Sequence, residues 1–200
     1  MSVSPDCWIG WDAEERRGRT IIATEGWEPN VEQARARLSP LGVEVRRYVP
    51  NDGQSMPFAD RALNLVMSRH EGINAPEIAR VLAHGGRILT QQVDGHDAEE
   101  IHEWFGTPYV YPNVTADHFV ADLESAGLHI DAVDEWKGTM EFSDVRALVT
   151  YLALVPWDVP GFTVDDHAEK LLQLASLTSI RVTQRRFRVY ASKPGQTKAH

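Results

Sequence analysis

From Thr20 to Val93 the sequence alternates short apolar runs rich in β-branched residues with amphipathic segments, and this alternation limits the fold most. Strands that alternate with helices through short connections form a mostly parallel sheet covered by helices on both faces. We therefore predict an α/β fold. The predicted strands are TIIATEG (20–26), VEVRRYVP (43–50), LNLVMSR (63–69) and RILTQQV (87–93), and the predicted helices are PNVEQARARLSPLG (29–42) and APEIARVLAHGG (75–86).

The second half of the chain has longer segments of both kinds. We predict helices at 98–106, 115–127, 143–157 and 163–176, and strands at 128–142 and 180–193. Ser143 is the predicted cap of the third of these helices, and Thr163 or Asp165 that of the fourth. The last strand, in which Val182, Phe187 and Val189 alternate with basic residues, is predicted to be an antiparallel edge strand. Residues 1–200 then form one domain with a helical insertion at 143–179 and a tail at 194–200.

Charge and cysteine content restrict the class of protein. The net charge of −9 and pI near 5.3 argue against a nucleic-acid footprint, which needs a basic face. The basic run RVTQRRFR (181–188) is interpreted as one solvated face of a strand. The single cysteine, Cys7, and the spacing of the histidines predict no disulfide and no metal site. With no apolar run of 18 residues and no leader, we expect a cytoplasmic protein with a small-molecule ligand and no membrane contact.

Four short motifs occur in order along the first half of the chain. They are IIATEG ending at Gly26, DGQSMPFAD from Asp52, LNLVMSRHE from Leu63 and IARVLAHGGRILTQQV from Ile78. In this order they resemble the class I S-adenosylmethionine-dependent methyltransferases, in the broad small-molecule (type 11-like) branch. The resemblance covers residues 19–95 and implies a Rossmann-like sheet, S-adenosylmethionine as cofactor and methyl transfer to a small molecule.

The family's first strand and glycine-rich loop have no clear counterpart. That motif should precede residue 15, where the chain offers CWIGWDAEERRGRT (7–20) with a single central glycine, Gly10. Glycines are needed there because the backbone must approach the ligand without a Cβ in the way. Residues 1–18 are therefore an atypical N terminus in which the motif is missing or degenerate and the first strand is not evident.

The resemblance places ribose and adenosine contacts at Glu25, Gly26 and Trp27. A carboxylate at the end of a strand can accept hydrogen bonds from both ribose hydroxyls. Two other roles stay open: Glu25 as an acid favoured by a helix N-terminus, and Trp27 as a core residue.

The resemblance also assigns Asp52 to the adenine amino group and Gly53 to the passing loop. An Asn-Asp-Gly turn that needs no ligand explains the same residues, and both interpretations stay open.

The segment SRHEG (68–72) falls at the carboxyl end of a strand predicted to be central, where open α/β sheets bind ligands. Ser68 and Arg69 are predicted to line the cofactor pocket, and His70 to serve as a base. The alternative for Arg69 is a surface ion pair with Glu71. One of Gln91 and Gln92 should face the same cleft, since side chains alternate along a strand.

The aromatic residues of the second half have two interpretations: they wall an apolar substrate pocket, or they pack in the core. These residues are Trp136, Tyr151, Trp157 and Phe162.

Two functions follow from the resemblance. The first is methyl transfer from S-adenosylmethionine to a small molecule. The second is a methyltransferase-like protein without catalytic activity that acts as a binding or partner subunit. If the chain begins at Met1, a missing strand leaves an apolar sheet edge, which a second copy in a homodimer would cover.

Overall fold

The computed structural model describes residues 18–50 and 52–195. The atypical N terminus at 1–17, with the question of the glycine-rich motif and first strand, lies outside the described residues, as does the end of the predicted tail, 196–200. That residues 1–200 form one domain stays a prediction. The strands are β1 (Ile22–Glu25), β2 (Glu44–Arg47), β3 (Leu63–Arg69), β4 (Leu82–Val93), β5 (His129–Phe142) and β6 (Ile180–Ser192). The helices are α1 (Glu28–Leu38), α2 (Ala75–Val81), α3 (Glu99–Phe105), α4 (Ala116–Ser125), α5 (Val145–Leu154) and α6 (Ala168–Ala175).

The strands form a two-stranded sheet and a four-stranded sheet. β1 and β2 pair in parallel, as do β3 and β4. In the order β3-β4-β6-β5, strand β6 is antiparallel to both of its neighbours. The predicted α/β class and the antiparallel last strand are confirmed. The predicted edge position of that strand is wrong: β6 lies inside the sheet and β5 forms the edge, because β6 exchanges backbone hydrogen bonds on both sides.

Strand β6 buries side chains on both faces of the sheet. Val182 and Phe187 are both almost fully buried, yet they lie five positions apart and therefore point to opposite faces. Phe187 packs in a core with α2 and α4, whereas Val182 packs in a second core with α3, α5 and α6. The predicted alternation of Val182, Phe187 and Val189 with basic residues on one apolar face is therefore wrong. Val182 is buried on one face of the sheet, whereas Phe187 and Val189 are buried on the other.

The arginines of β6 form ion pairs with acids of the same chain. Arg185 contacts Glu99 on α3 at 2.8 Å, and Arg186 contacts Asp97 at 2.6 Å. Since residues 185 and 186 point to opposite faces, the interpretation of this run as one solvated face is wrong. The remaining pairs are Arg181–Glu141 at 3.2 Å and Arg188–Asp134 at 3.0 Å.

Helix α2 is shorter than predicted. It ends at Val81, and Leu82 is already extended with ψ 131°. The Lys193 ammonium donates to the carbonyls of Ala79 and Leu82, which satisfies acceptors that a helix end leaves open. The residues up to Gly86 therefore begin β4 and do not continue the helix.

The two helices of the insertion begin at different residues from those predicted. Asp144, and not Ser143, caps α5, because its carboxylate accepts from the Ala147 N–H at 2.9 Å. Helix α6 begins at Ala168, whereas Thr163 accepts from the Asp166 N–H at 3.1 Å in the preceding turn. Both helices lie within the predicted insertion at 143–179.

The described helices are all short. The longest, α1, has 11 residues, whereas a membrane-spanning helix needs about 20. Across residues 18–50 and 52–195, none is long and apolar enough to cross a membrane. The same residues hold no cluster of three histidine, cysteine, aspartate or glutamate side chains arranged for a metal ion.

Candidate functional site

Polar segments follow the carboxyl ends of the parallel strands. Glu25 ends β1, the segment after β2 leads to Asp52, Ser68–Gly72 closes β3, and Asp94–Asp97 follows β4. In open α/β sheets ligands bind at this edge. This edge is therefore the candidate site.

Glu25 is half-buried at the end of β1. One of its carboxylate oxygens accepts the Trp27 N–H at 2.9 Å, and Trp27 is the N-cap residue of α1. Within residues 18–50 and 52–195 the other oxygen has no hydrogen-bond partner. The helix-terminus role is therefore realised, and among the described residues nothing occupies the second acceptor oxygen. Trp27 is 61% exposed, so the core interpretation of this residue is wrong.

Gly26 is required by contacts within the chain. A Cβ at this position would lie 3.1 Å from the Tyr48 carbonyl oxygen and 3.3 Å from a Val49 methyl group. The backbone after β1 therefore passes close to the backbone after β2. This contact accounts for the glycine without a ligand, and the predicted adenosine contact stays a prediction.

Asp52 and Gly53 form a tight turn. One Asp52 oxygen accepts the Gln54 N–H at 2.9 Å, and Gly53 has φ +85°, a conformation that glycine adopts without strain. This geometry matches the ligand-free alternative. The second Asp52 oxygen can still accept a hydrogen bond, so the adenine contact stays a prediction.

The Met-Pro-Phe turn after Asp52 is held by an ion pair on α2. The Arg80 guanidinium donates to the carbonyls of Met56 at 3.0 Å and Phe58 at 2.9 Å. It also binds Glu77 at 2.7 Å and Asp60 at 2.8 Å. Glu77 in turn accepts the Met56 N–H at 2.6 Å. This cluster fixes the loop between β2 and β3 to α2.

The Ser68–Gly72 loop is anchored to β4. The His70 N–H donates to the Gln91 carbonyl at 2.9 Å, and His70 has φ +54°. The buried Gln92 amide donates to the Glu71 carbonyl at 2.9 Å and to Thr90 at 2.7 Å. Gln92 therefore supports the loop, while Gln91 lies on the opposite face of β4.

The electrostatic surroundings of His70 favour its neutral form. Although His70 is exposed by its accessible surface, loss of hydration on one side of the ring lowers the pKa of its imidazole, and the positive charges of Arg69 and Arg186 lower it further. At neutral pH the ring is therefore unprotonated and able to accept a proton. Arg186 belongs to β6, so the fold brings a residue from the end of the chain to the predicted base.

A second polar group, which the sequence analysis missed, follows β4. Asp94 accepts the His96 N–H at 2.8 Å and lies 3.3 Å from the His96 Nδ1. The Tyr109 ring packs against His96, with ring centroids 4.8 Å apart. A cavity of about 450 Å³ opens beside these residues. The signal was the polar run DGHD directly after an apolar, strand-like run, the same signal that identified SRHEG.

Behind this cavity lies a buried polar network. The Tyr151 hydroxyl donates to the Asp158 carboxylate at 2.8 Å, and the Thr107 hydroxyl donates to the Asp158 carbonyl at 2.8 Å. Burial raises the pKa of Asp158, although the Tyr151 hydrogen bond and the His102 charge act in the opposite direction. Burial and the nearby Asp158 charge also raise the pKa of Tyr151. The network connects α5 and the insertion to the segment after α3.

The aromatic residues of the second half divide between core and surface. Tyr151 and Phe162 pack against the core of α3, α5 and α6, which confirms the packing interpretation for these two. Trp136 is 53% exposed on β5 and belongs to neither core.

Comparison with solved structures identifies the fold as that of class I S-adenosylmethionine-dependent methyltransferases. A Bacillus halodurans C-125 protein with a provisional methyltransferase assignment is 16% identical, with a TM-score of 0.60, over 88% of this chain and 84% of that one. The geranyl diphosphate C-methyltransferase of Streptomyces coelicolor A3(2), in complex with Mg²⁺, geranyl diphosphate and S-adenosyl-L-homocysteine, is 13% identical, with a TM-score of 0.51, over 90% and 67%. The predicted resemblance is therefore confirmed at the level of the fold.

A third similar structure carries a different activity. A [4+2]-cyclase is 18% identical, with a TM-score of 0.52, over 88% of this chain and 68% of that one. No protein-family profile matches the chain, and no curated protein matches it in sequence. The fold is thus established by structure alone, and function has to be argued from the site.

Proposed function

We propose that the protein transfers a methyl group from S-adenosylmethionine to a small molecule. The observation that carries this proposal is the half-buried Glu25 carboxylate, which ends β1 in a methyltransferase-like sheet and has one oxygen without a partner among residues 18–50 and 52–195. A carboxylate oxygen is the acceptor that ribose hydroxyls require. The second oxygen of Asp52, in the segment that follows the neighbouring strand β2, adds an acceptor for the adenine amino group.

The residues after β3 and β4 complete the proposed site. When bound, S-adenosylmethionine supplies an electrophilic methyl group on a sulfonium centre. Ser68 and Arg69 end β3 beside the loop at 70–72 and would face the bound cofactor, and Gln92 holds this loop in place through the Glu71 carbonyl. His70, whose lowered pKa keeps it neutral, can accept a proton from the methyl acceptor.

Calorimetric titration of the full chain with S-adenosylmethionine and S-adenosylhomocysteine tests this proposal. Substituting Glu25→Gln should weaken binding about 10- to 100-fold, because charge-assisted hydrogen bonds contribute about 1.5–3 kcal/mol. Glu32→Gln is the matched control, since Glu32 lies on α1 and forms only an exposed ion pair with Arg35. Absence of heat from a folded wild-type chain, or equal effects of the two substitutions, would refute the proposal.

The alternative, a protein that binds without catalysing methyl transfer, needs a further measurement in addition to calorimetry. A binding or partner subunit would take up the cofactor without consuming it, or would not take it up at all. Single-turnover mass spectrometry with a panel of small acceptors separates transfer from binding. Light scattering of the same sample tests the homodimer, which stays a prediction.

A further inference from the structure

We propose that the cavity beside β4 binds a methyl acceptor carrying a protonated amine, and that His96, supported by Asp94, removes the proton from that amine. The inference rests on the proposed function for its role in methyl transfer, while the amine site itself can be tested independently. It deepens that function by naming the chemical class of the acceptor, and it assigns the removal of the amine proton to His96 instead of His70.

The cavity is formed by segments that are distant in sequence. Its walls come from the turn after β4, the start of α3, the segment after α3, the start of α4, and two diagonally placed residues of the paired strands β5 and β6. Its volume of about 450 Å³ falls in the range of small-molecule sites. It opens one strand away from the Ser68–Gly72 loop, since β3 and β4 are paired neighbours about 4.8 Å apart.

Charge selects the class of ligand. Of the carboxylates that line the cavity, Glu99 is neutralised by Arg185 at 2.8 Å. Asp117 and Glu135 are exposed to the cavity and have no ion-pair partner within residues 18–50 and 52–195. The cavity therefore carries excess negative charge and favours a cation over an anion.

Tyr109 adds a second feature that suits an organic cation. Its ring forms part of the lining and is fixed between His96 at 4.8 Å and His102 at 4.1 Å, measured between ring centroids. An aromatic face attracts an ammonium group within about 6 Å of its centroid. A rigid ring next to unpaired carboxylates is an arrangement that binds an amine with an apolar body.

His96 and Asp94 form a base with a fixed orientation. Asp94 holds both the backbone N–H of His96, at 2.8 Å, and its ring Nδ1, at 3.3 Å. The tautomer follows from this contact: Nδ1 carries the proton donated to Asp94, and Nε2 carries the lone pair. His96 therefore presents an acceptor nitrogen while a carboxylate stands behind the ring.

The proposed step is one proton transfer. An N–H bond of the acceptor ammonium breaks, the proton passes to His96 Nε2, and the electron pair stays on the acceptor nitrogen. The neutral amine then has the lone pair that a nucleophile needs. The positive charge moves to the imidazolium, which Asp94 stabilises, and nothing is oxidised or reduced.

Binding is tested first, with benzylammonium as the probe and benzyl alcohol as its neutral analogue of similar shape. Calorimetry of the full chain should show benzylammonium binding at least about tenfold more tightly than the alcohol. The pair Asp117→Asn and Glu135→Gln should remove this preference. Glu124→Gln, an exposed acid at the other end of α4, should preserve it. Equal binding of both probes, or a preference that survives the paired substitution, would overturn the site.

The base is tested by chemical modification. Diethyl pyrocarbonate acylates an unprotonated imidazole nitrogen, and peptide mass spectrometry reports the rate at each histidine. Benzylammonium at about ten times its measured dissociation constant should slow the reaction at His96 about tenfold, while His118, an exposed histidine on α4, is unaffected. Asp94→Asn should change the rate of modification at His96, because it removes the carboxylate that orients the ring and stabilises its protonated form. A rate at His96 that responds neither to the amine nor to Asp94→Asn would overturn its role.

The outcomes separate this inference from the proposed function. A chain that binds benzylammonium but not S-adenosylmethionine retains the amine site and loses the methyl-transfer role. A chain that binds S-adenosylmethionine through Glu25 but shows no preference for the cation retains the proposed function and loses this inference.

Discussion

Replacing Arg80 should destabilise the protein far more than replacing an arginine in a similar pair on the surface. Arg80 is 28% exposed and Glu77 is 16% exposed. The Arg80 guanidinium satisfies the carbonyls of Met56 and Phe58 in addition to the Glu77 carboxylate. Arg80→Ala therefore removes two charge-assisted bonds to the backbone and leaves a largely buried carboxylate without its cation.

The expected loss is about 3 kcal/mol. Each carbonyl bond to a charged donor contributes about 1.5 kcal/mol at the lower end of its range. The contact to the mostly exposed Asp60 contributes less than about 1 kcal/mol. Arg35 also pairs with a glutamate three positions away, but its pair is 46% and 81% exposed, so Arg35→Ala should cost less than about 1 kcal/mol.

Urea unfolding at pH 7, monitored by circular dichroism, measures the loss of unfolding free energy for Arg80→Ala and for Arg35→Ala.

The stabilisation by the Arg80–Glu77 pair should also depend on pH. The Arg80 hydrogen bond lowers the pKa of Glu77, so this stabilisation is present at neutral pH and is lost as the pH falls through that lowered pKa. A double-mutant cycle with Glu77→Gln should give a coupling of at least about 1 kcal/mol. Equal losses for Arg80→Ala and Arg35→Ala would refute the idea that α2 holds the Met56–Asp60 loop through this cluster.

Two further predictions concern buried polar groups. Because burial raises the pKa of Asp158, the folded state holds its proton more tightly than the unfolded state. The wild type should therefore lose stability relative to Asp158→Asn as the pH rises from about 3.9 through the raised value, and melting temperatures of both proteins across this window should diverge. A difference in melting temperature between the two proteins that stays constant across this pH window would contradict the prediction for Asp158. Gln92→Met leaves the Glu71 carbonyl without its donor and should cost about 1–3 kcal/mol in urea unfolding and weaken S-adenosylmethionine binding, whereas the control Gln91→Met should do neither.

The sequence determined the elements that depend on neighbouring residues. The apolar runs of β1, β3 and β4 and the helical spacing of α1 and α4 are local patterns, and each element forms over most of the residues that its pattern marks, although β4 begins five residues earlier than predicted, at Leu82. Gly42 ends the turn after α1 with φ +77°, as its position just past the predicted helix indicates. Candidate site residues such as Glu25 and Ser68 follow from the same kind of pattern, because a polar residue at the end of an apolar run is visible in the sequence.

Boundaries between elements were less predictable, since contacts from elsewhere in the chain decide them. Lys193 closes α2 before the glycines that the sequence suggests as its end. The N-cap of α5 is Asp144 and not its neighbour Ser143, because the Asp144 carboxylate accepts the Ala147 N–H. Either residue type can cap a helix, so local preference could not distinguish them.

Only the tertiary structure decided the strand order and the second polar site. The insertion of β6 between β4 and β5 places Arg185 against Glu99 and Arg186 against Asp97. The cavity beside His96 draws its lining from residues 94 to 185, and no local pattern relates Tyr109 or Glu135 to His96. The sequence fixes which side chains are polar and which segments extend, but charge and packing energies depend on distance in space. Those distances exist only once the sheet has assembled.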